Sequence, residues 1–152
     1  MEVYMDFIAQ QWILFAAFAL ILGLLIRSWV TPLVSGVKGM TVNEAVRLID
    51  DENSLVLDVR LDKEFETGYI NGAINIPVGA LEARMGELDK FKNKRVLVVC
   101  QTGGRSMSGA RVLRKHGFEE VNNLNGGLNA WVNGNMPVIT KSAAKKNKKK
   151  NK

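Results

Sequence analysis

The chain has 152 residues, 47% of them hydrophobic and 24% charged, which is enough for one domain with a single core. Its net charge of +6 comes from residues 141–152, which contain seven lysines and no acid, whereas 14 basic residues face 15 acidic ones elsewhere. The body of the chain therefore lacks the charge expected of a specific nucleic-acid binder. A single cysteine excludes an internal disulfide, and no C-x-x-C or Cys/His cluster suggests structural zinc.

The N-terminal part of the chain contains a long stretch without formal charge. Residues 7–26, FIAQQWILFAAFALILGLLI, would span about 30 Å as a helix, which matches the hydrocarbon core of a bilayer. A cleaved signal peptide is disfavoured because acids precede the stretch and no small-x-small site follows. A buried core helix is disfavoured because the stretch has no polar face. We therefore expect residues 1–29 to form one transmembrane helix.

The charges around this stretch predict its orientation. Acids precede it, and Arg27 and Lys38 follow it. The positive-inside rule then places the C-terminal domain in the cytoplasm, attached to the inner membrane by a single pass. Residues 30–39, VTPLVSGVKG, contain a proline and two glycines and are predicted to form a linker.

Helical and strand patterns alternate along residues 40–139. Thr41 and Glu44 have capping-box spacing, which predicts a helix at 42–51, and the segment 106–118 has helical spacing with Gly117 as its C-cap. The segment 81–91 reads as a polar helix or turn. Strands are predicted at 54–60, 73–76, 95–100 and early in 120–138, where a glycine turn and a final helical turn follow. This alternation indicates an α/β domain with a parallel sheet covered on both faces.

The predicted strand at 95–100 ends at the only cysteine, Cys100, and a short loop leads from it into a helix. The loop consists of Gln101, Thr102, Gly103 and Gly104, and Arg105 follows. Two glycines allow positive φ angles that turn several N–H groups inward. The helix N-terminus and Arg105 add positive potential. All of these features favour a thiolate, so we interpret Cys100 as a nucleophile at the carboxyl edge of the sheet.

The alternative interpretation is a buried cysteine that acts as a small hydrophobic residue, as free cysteines often do. The glycine loop and the arginine at the helix start favour the nucleophile. A histidine base is not required for it. His116, the only histidine, lies at the far end of the same predicted helix and is interpreted as a surface residue.

Four separated pieces of the sequence have the order and spacing of a known family. They are LDVR (57–60), EFETGYINGAINIP (64–77), VVCQTGGRS (98–106) and LNGGLNAW (124–131). The chain resembles a single-domain rhodanese over nearly all of residues 39–138. The resemblance implies a three-layer α/β fold with a central parallel sheet, and no cofactor. It also implies a sulfurtransferase in which Cys100 takes a sulfane sulfur from a donor, becomes a persulfide, and passes the sulfur to a nucleophilic acceptor.

The resemblance also implies roles for the residues around Cys100. Gln101 to Arg105 form the binding loop, whose amides cradle the persulfide. Asp58 and Arg60 match residues that support the site, although a structural ion pair between strand and loop explains them equally well. Gly126–Gly127 and Trp131 are expected to serve turn geometry and packing.

Two positions depart from the family pattern. Tyr69 replaces a usual histidine, at what we expect to be a surface or packing position. Gln101 and Thr102 are neutral where thiosulfate-using members often carry basic residues, which leaves Arg105 alone to attract a dianion. We therefore expect weak thiosulfate activity and leave the donor open, with a protein persulfide as one candidate.

Two other functions compete with sulfur transfer. Phosphatases and arsenate reductases of the same fold have a longer C-x5-R loop, whereas Cys100 and Arg105 have C-x4-R spacing, which suits sulfur better than a tetrahedral oxyanion. Non-catalytic binding modules usually lack the cysteine. The lysine-rich end, 140–152, is interpreted as a disordered, solvated tail, with contact to anionic lipid or RNA as the alternative.

Overall fold

The computed structural model describes residues 12–34 and 36–140, and within the first range it describes the side chains of Trp12 to Ile26. The chain divides into two compact units, Met1–Ser35 and Gly36–Lys152. The lysine-rich segment 141–152 lies outside the described residues, so its interpretation as a solvated tail stays a prediction.

The described residues of the first unit form a helix, α1, which spans Trp12–Val34. Its described large apolar side chains are exposed. Among the described residues, no helix is both long enough and apolar enough to cross a membrane. This finding does not support the transmembrane helix predicted over 1–29, of which residues 1–11 lie outside the described residues.

The second unit is built on one parallel sheet of five strands in the order β1-β5-β4-β2-β3. The strands are β1 (Lys38–Met40), β2 (Ser54–Asp58), β3 (Ile74–Asn75), β4 (Arg95–Val99) and β5 (Val121–Leu124). The helices are α2 (Val42–Ile49), α3 (Asp62–Thr67), α4 (Gly104–Lys115) and α5 (Gly127–Asn133), with 3₁₀ helices at Val78–Ala80 and Met85–Phe91.

The central strands β2 and β4 bury both of their faces, and this explains their continuous runs of Val and Leu. One core packs α4 and the 3₁₀ segments on the face that contains Val96 and Val98. A second core packs α2 and α5 on the opposite face, around Leu97. The predicted α/β fold with a covered parallel sheet is confirmed, and so is the capping box of α2.

The predicted linker at 30–39 differs from the observed structure. α1 continues to Val34, and the edge strand β1 begins at Lys38. The letters KGM contain no strong β-former, and the strand exists because Lys38, Gly39 and Met40 pair with β5. Pairing with a strand more than eighty positions later leaves no local pattern in the sequence.

Candidate active site

Cys100 lies directly after β4, at the carboxyl edge of the sheet and close to its centre. The residue is only 1% exposed. Ligands of open parallel sheets bind at this edge, where the strand ends and the following helix starts meet. The structure thus places the thiol where the sequence predicted it, under the loop that leads into α4.

The loop folds back over the sulfur and directs donors at it. The N–H group of Gly103 lies 3.1 Å from Cys100 Sγ and donates a hydrogen bond to it. Gly103 adopts a φ of +102°, which a side chain would strain. Gly104 is the first residue of α4 and has no positive φ, so the expectation of two left-handed glycines in the loop is right for Gly103 alone.

Ser106 supplies a second donor to the sulfur. Its hydroxyl proton is shared between two acceptors, Cys100 Sγ at 3.2 Å and the carbonyl oxygen of Gly103 at 3.0 Å. The serine is fully buried in the first turn of α4. Sequence reasoning missed this residue, because a serine near a helix start is also typical of an ordinary capping or surface position.

These donors decide the ionisation of the thiol. Burial, the largest single contribution, raises the pKa of Cys100. Hydrogen bonds from the Ser106 hydroxyl and from the N–H groups of Ser106, Thr102 and Gly103 together outweigh burial and lower the pKa below its ordinary value. At a given pH the thiolate fraction of Cys100 is therefore larger than that of an ordinary cysteine, because these hydrogen bonds stabilise the charged form.

Arg105 is paired with a carboxylate that the sequence did not predict. Its two terminal nitrogens lie 2.7 Å and 2.7 Å from the two carboxylate oxygens of Glu64 in α3. The hydrogen bond with Arg105 is the main cause that lowers the pKa of Glu64 to about 2. Glu64 therefore balances the guanidinium charge, and this corrects the prediction that Arg105 offers an uncompensated positive charge at the loop.

Asp58 and Arg60 form a buried ion pair at the end of β2, with both residues 1% exposed. Arg60 Nη2 donates to Asp58 Oδ2 and to the carbonyl of Gly68, each at 2.7 Å. Arg60 Nη1 lies 3.3 Å from Gln101 Oε1 and donates to it. The pair thus ties β2 to the cysteine loop, as the structural interpretation expected, whereas a role of the two residues in supporting the site stays a prediction.

The N-terminus of α5 holds the loop from the other side. The N–H groups of Leu128 and Asn129 donate to the carbonyls of Cys100 and Gln101 at 2.8 Å and 3.1 Å. Gly127 makes this approach possible, because a Cβ there would lie 2.4 Å from the carbonyl oxygen of Cys100. Its φ of +58° agrees with the predicted turn geometry, whereas its contact with the loop was not predicted.

The remaining predicted positions lie around this centre. Trp131 is buried, and its Nε1 donates to the carbonyl of Pro137 at 3.0 Å, as expected for a packing residue. Tyr69 is half-buried and stacks on Phe65 with ring centroids 4.1 Å apart. His116 is exposed just beyond the end of α4.

Comparisons with known proteins agree with this fold. A family model described as a rhodanese-like domain matches residues 41–134. A rhodanese-related protein from Thermoplasma volcanium has a similar solved structure, with a TM-score of 0.62 and 28% identity, and the match covers 68% of this chain and 99% of that chain.

The alignments with two sequence relatives cover nearly the full length of each relative. The uncharacterized protein YibN of Escherichia coli is 35% identical over 140 residues, which are 91% of this chain and 98% of YibN. The thiosulfate sulfurtransferase GlpE of Shewanella oneidensis is 31% identical over 102 residues, which are 67% of this chain and 99% of GlpE. The chain belongs to the rhodanese-like domain family.

Proposed function

We propose that the protein is a sulfurtransferase that carries a sulfane sulfur as a persulfide on Cys100. The observation that carries this proposal is the set of donors around Cys100 Sγ, which lower the pKa of the thiol without a histidine. Membership of the rhodanese-like family supports it, and so does the similarity to GlpE, a thiosulfate sulfurtransferase.

The proposed reaction has two displacement steps. The Cys100 thiolate attacks the sulfane sulfur of the donor, a new S–S bond forms, and the donor's bond to that sulfur breaks with its electron pair on the leaving group. A nucleophilic acceptor then attacks the outer sulfur, and Cys100 leaves as a thiolate. The donors from Gly103 and Ser106 stabilise the thiolate both as attacking and as leaving group.

Intact-mass measurement of the full chain tests the proposal. After incubation with thiosulfate or with cysteine persulfide, we expect the mass of one added sulfur atom, and we expect thiocyanate when cyanide is then added. Cys100→Ser, which keeps the volume of the side chain nearly constant, should gain no sulfur. A wild-type chain that gains sulfur from neither donor would instead indicate a binding module. Phosphate release from an aryl phosphate would favour the phosphatase alternative.

We also propose that residues 7–26 attach the protein to the inner membrane, with the second unit in the cytoplasm. The large apolar side chains of α1 between Trp12 and Ile26 are 45% to 65% exposed, and such a surface requires an apolar partner. The full chain should sediment with membranes and resist a carbonate wash. A double substitution, Leu20→Arg with Leu24→Arg, should release it. Wild-type protein in the soluble fraction would contradict the proposal.

A further inference from the structure

The cysteine loop is flanked by two arginines, and each of them is engaged by a carboxylate. Arg60 is bound by Asp58 inside the domain, and Arg105 is bound by Glu64 at the surface. The two pairs together contribute no net charge to the loop. Gln101 and Thr102 are uncharged, so the oriented N–H groups and the N-terminus of α4 supply the positive potential that no carboxylate offsets.

In the contact between Glu64 and Arg105, both carboxylate oxygens and both terminal guanidinium nitrogens are engaged. Two parallel hydrogen bonds of 2.7 Å join the two terminal nitrogens to the two oxygens, which is the strong bidentate arrangement. A dianionic donor that needs the guanidinium must therefore compete with a carboxylate already in place.

The position of Glu64 is set by its own helix as well as by Arg105. Glu64 Oε2 accepts a hydrogen bond of 3.2 Å from the N–H group of Leu61, at the start of α3. The first turn of a helix also stabilises a negative charge. With a pKa of about 2, the carboxylate stays ionised throughout the physiological range.

We propose that Glu64 is a specificity-determining residue that withdraws the Arg105 guanidinium from the donor and so selects thiol-borne persulfides over thiosulfate. This inference rests on the proposed sulfurtransferase function. Thiosulfate carries two negative charges and releases sulfite, whereas a persulfide R–S–SH gives its outer sulfur to the Cys100 thiolate and releases R–S⁻. A persulfide has no sulfonate group, so it needs no guanidinium to bind one.

Kinetics with two donors tests the inference on the full chain. The measured quantity is the ratio of kcat/KM for thiosulfate to kcat/KM for cysteine persulfide. Glu64→Gln removes the charge and keeps an oxygen that can accept from Leu61. We expect the ratio to rise about tenfold, as one uncompensated charge near a dianion would produce, and the gain to shrink at high salt.

Glu120→Gln is the matched control, because it makes the same change of charge at the amino end of β5, the opposite edge of the sheet. We expect it to leave the ratio unchanged. A charge cycle adds a second control: Arg105→Gln should lower the ratio, and the double variant Glu64→Gln with Arg105→Gln should return it close to the wild-type value.

The outcomes separate this inference from the proposed function. If the wild type accepts sulfur but the ratio is the same in Glu64→Gln, or rises equally in Glu120→Gln, the role of Glu64 is wrong and the sulfurtransferase stands. If no variant gains sulfur from either donor, both proposals are wrong. Should Glu64→Gln fail to fold, the wild type still decides: a kcat/KM for thiosulfate that exceeds its kcat/KM for cysteine persulfide would overturn the inference.

Discussion

The neighbouring strands β4 and β5 are each followed by a left-handed glycine and the start of a helix, but the two helix starts have different roles. After β4 comes a left-handed glycine, Gly103, and then α4; after β5 comes a left-handed glycine, Gly126, and then α5. Both helices begin at the carboxyl edge of the sheet with N–H groups that their own helix cannot pair. The difference lies in what accepts the hydrogen bonds of those groups.

The N-terminal region of α4 directs its donors at a sulfur atom, through the N–H groups of Gly103 and Ser106 and the Ser106 hydroxyl. The N-terminal region of α5 directs its donors at backbone carbonyls, those of Cys100 and Gln101. One helix start therefore performs the chemistry, and the other holds the reactive loop in place. Substitutions at equivalent positions should separate these two roles.

The largest effect is expected at the start of α5. Gly127→Ala would bring a Cβ within 2.4 Å of the carbonyl oxygen of Cys100, at a φ that already disfavours a side chain. We expect the free energy of unfolding to fall by about 3 kcal/mol or more, with loss of sulfur transfer. Urea unfolding of the full chain measures this, and a wild-type midpoint would show that α5 does not fix the loop.

A smaller effect is expected at Gly103, the left-handed glycine that precedes α4. A Cβ there would meet its nearest atom, the Leu124 carbonyl oxygen, at 3.4 Å, which is an ordinary contact, so the cost of Gly103→Ala is the backbone strain of a φ of +102°. We expect about 1 to 2 kcal/mol of destabilisation. The pKa of Cys100 should also rise, because the N–H group of Gly103 moves away from the sulfur. An unchanged pH profile of thiol alkylation would contradict this.

Ser106→Ala should affect reactivity more than stability. Because the pKa of Cys100 is lowered by folding, the thiolate adds stability that is present above the ordinary thiol pKa and is lost as pH falls through the lowered value. Removing the hydroxyl raises this pKa. Alkylation by iodoacetamide at neutral pH should slow by roughly a factor of five, as expected for losing one hydrogen bond of about 1 kcal/mol. Ser108→Ala, at an exposed position of the same helix, is the control.

The smallest effect is expected at Gly104, the counterpart of Gly127 as the first residue of its helix. A Cβ at Gly104 would meet no atom within 4 Å, and its φ is not positive. Gly104→Ala should change the free energy of unfolding by less than about 1 kcal/mol, in the stabilising direction. A loss as large as that of Gly127→Ala would show that the two helix starts are equivalent after all.

The parts of the fold that were predictable are those whose cause is local. The Val and Leu runs of β2 and β4 reflect burial on both faces, and the Thr41–Glu44 capping box fixes the start of α2 within four residues. β1 could not be predicted, because its pairing with β5 and not its composition makes it a strand.

The same distinction applies to the site. Cys100 and its loop are contiguous, so their residue types were sufficient to indicate a thiolate at a helix start. Glu64 was missed because it meets Arg105 across 41 positions, with no spacing that marks the pair. Gly127 was recognised as a turn residue, but its contact with the Cys100 carbonyl depends on how β4 and β5 are juxtaposed.

The pairing of the first strand with the last has a consequence for the timing of synthesis. β1 leaves the ribosome early, yet its register with β5, Lys38 beside Asn122, cannot form until the end of the domain has been made. The carbonyls of the cysteine loop likewise wait for α5, which follows β5. In a nascent chain the carbonyls of Cys100 and Gln101 therefore lack their α5 donors until the last helix docks, although the donors to the sulfur itself are already part of the chain.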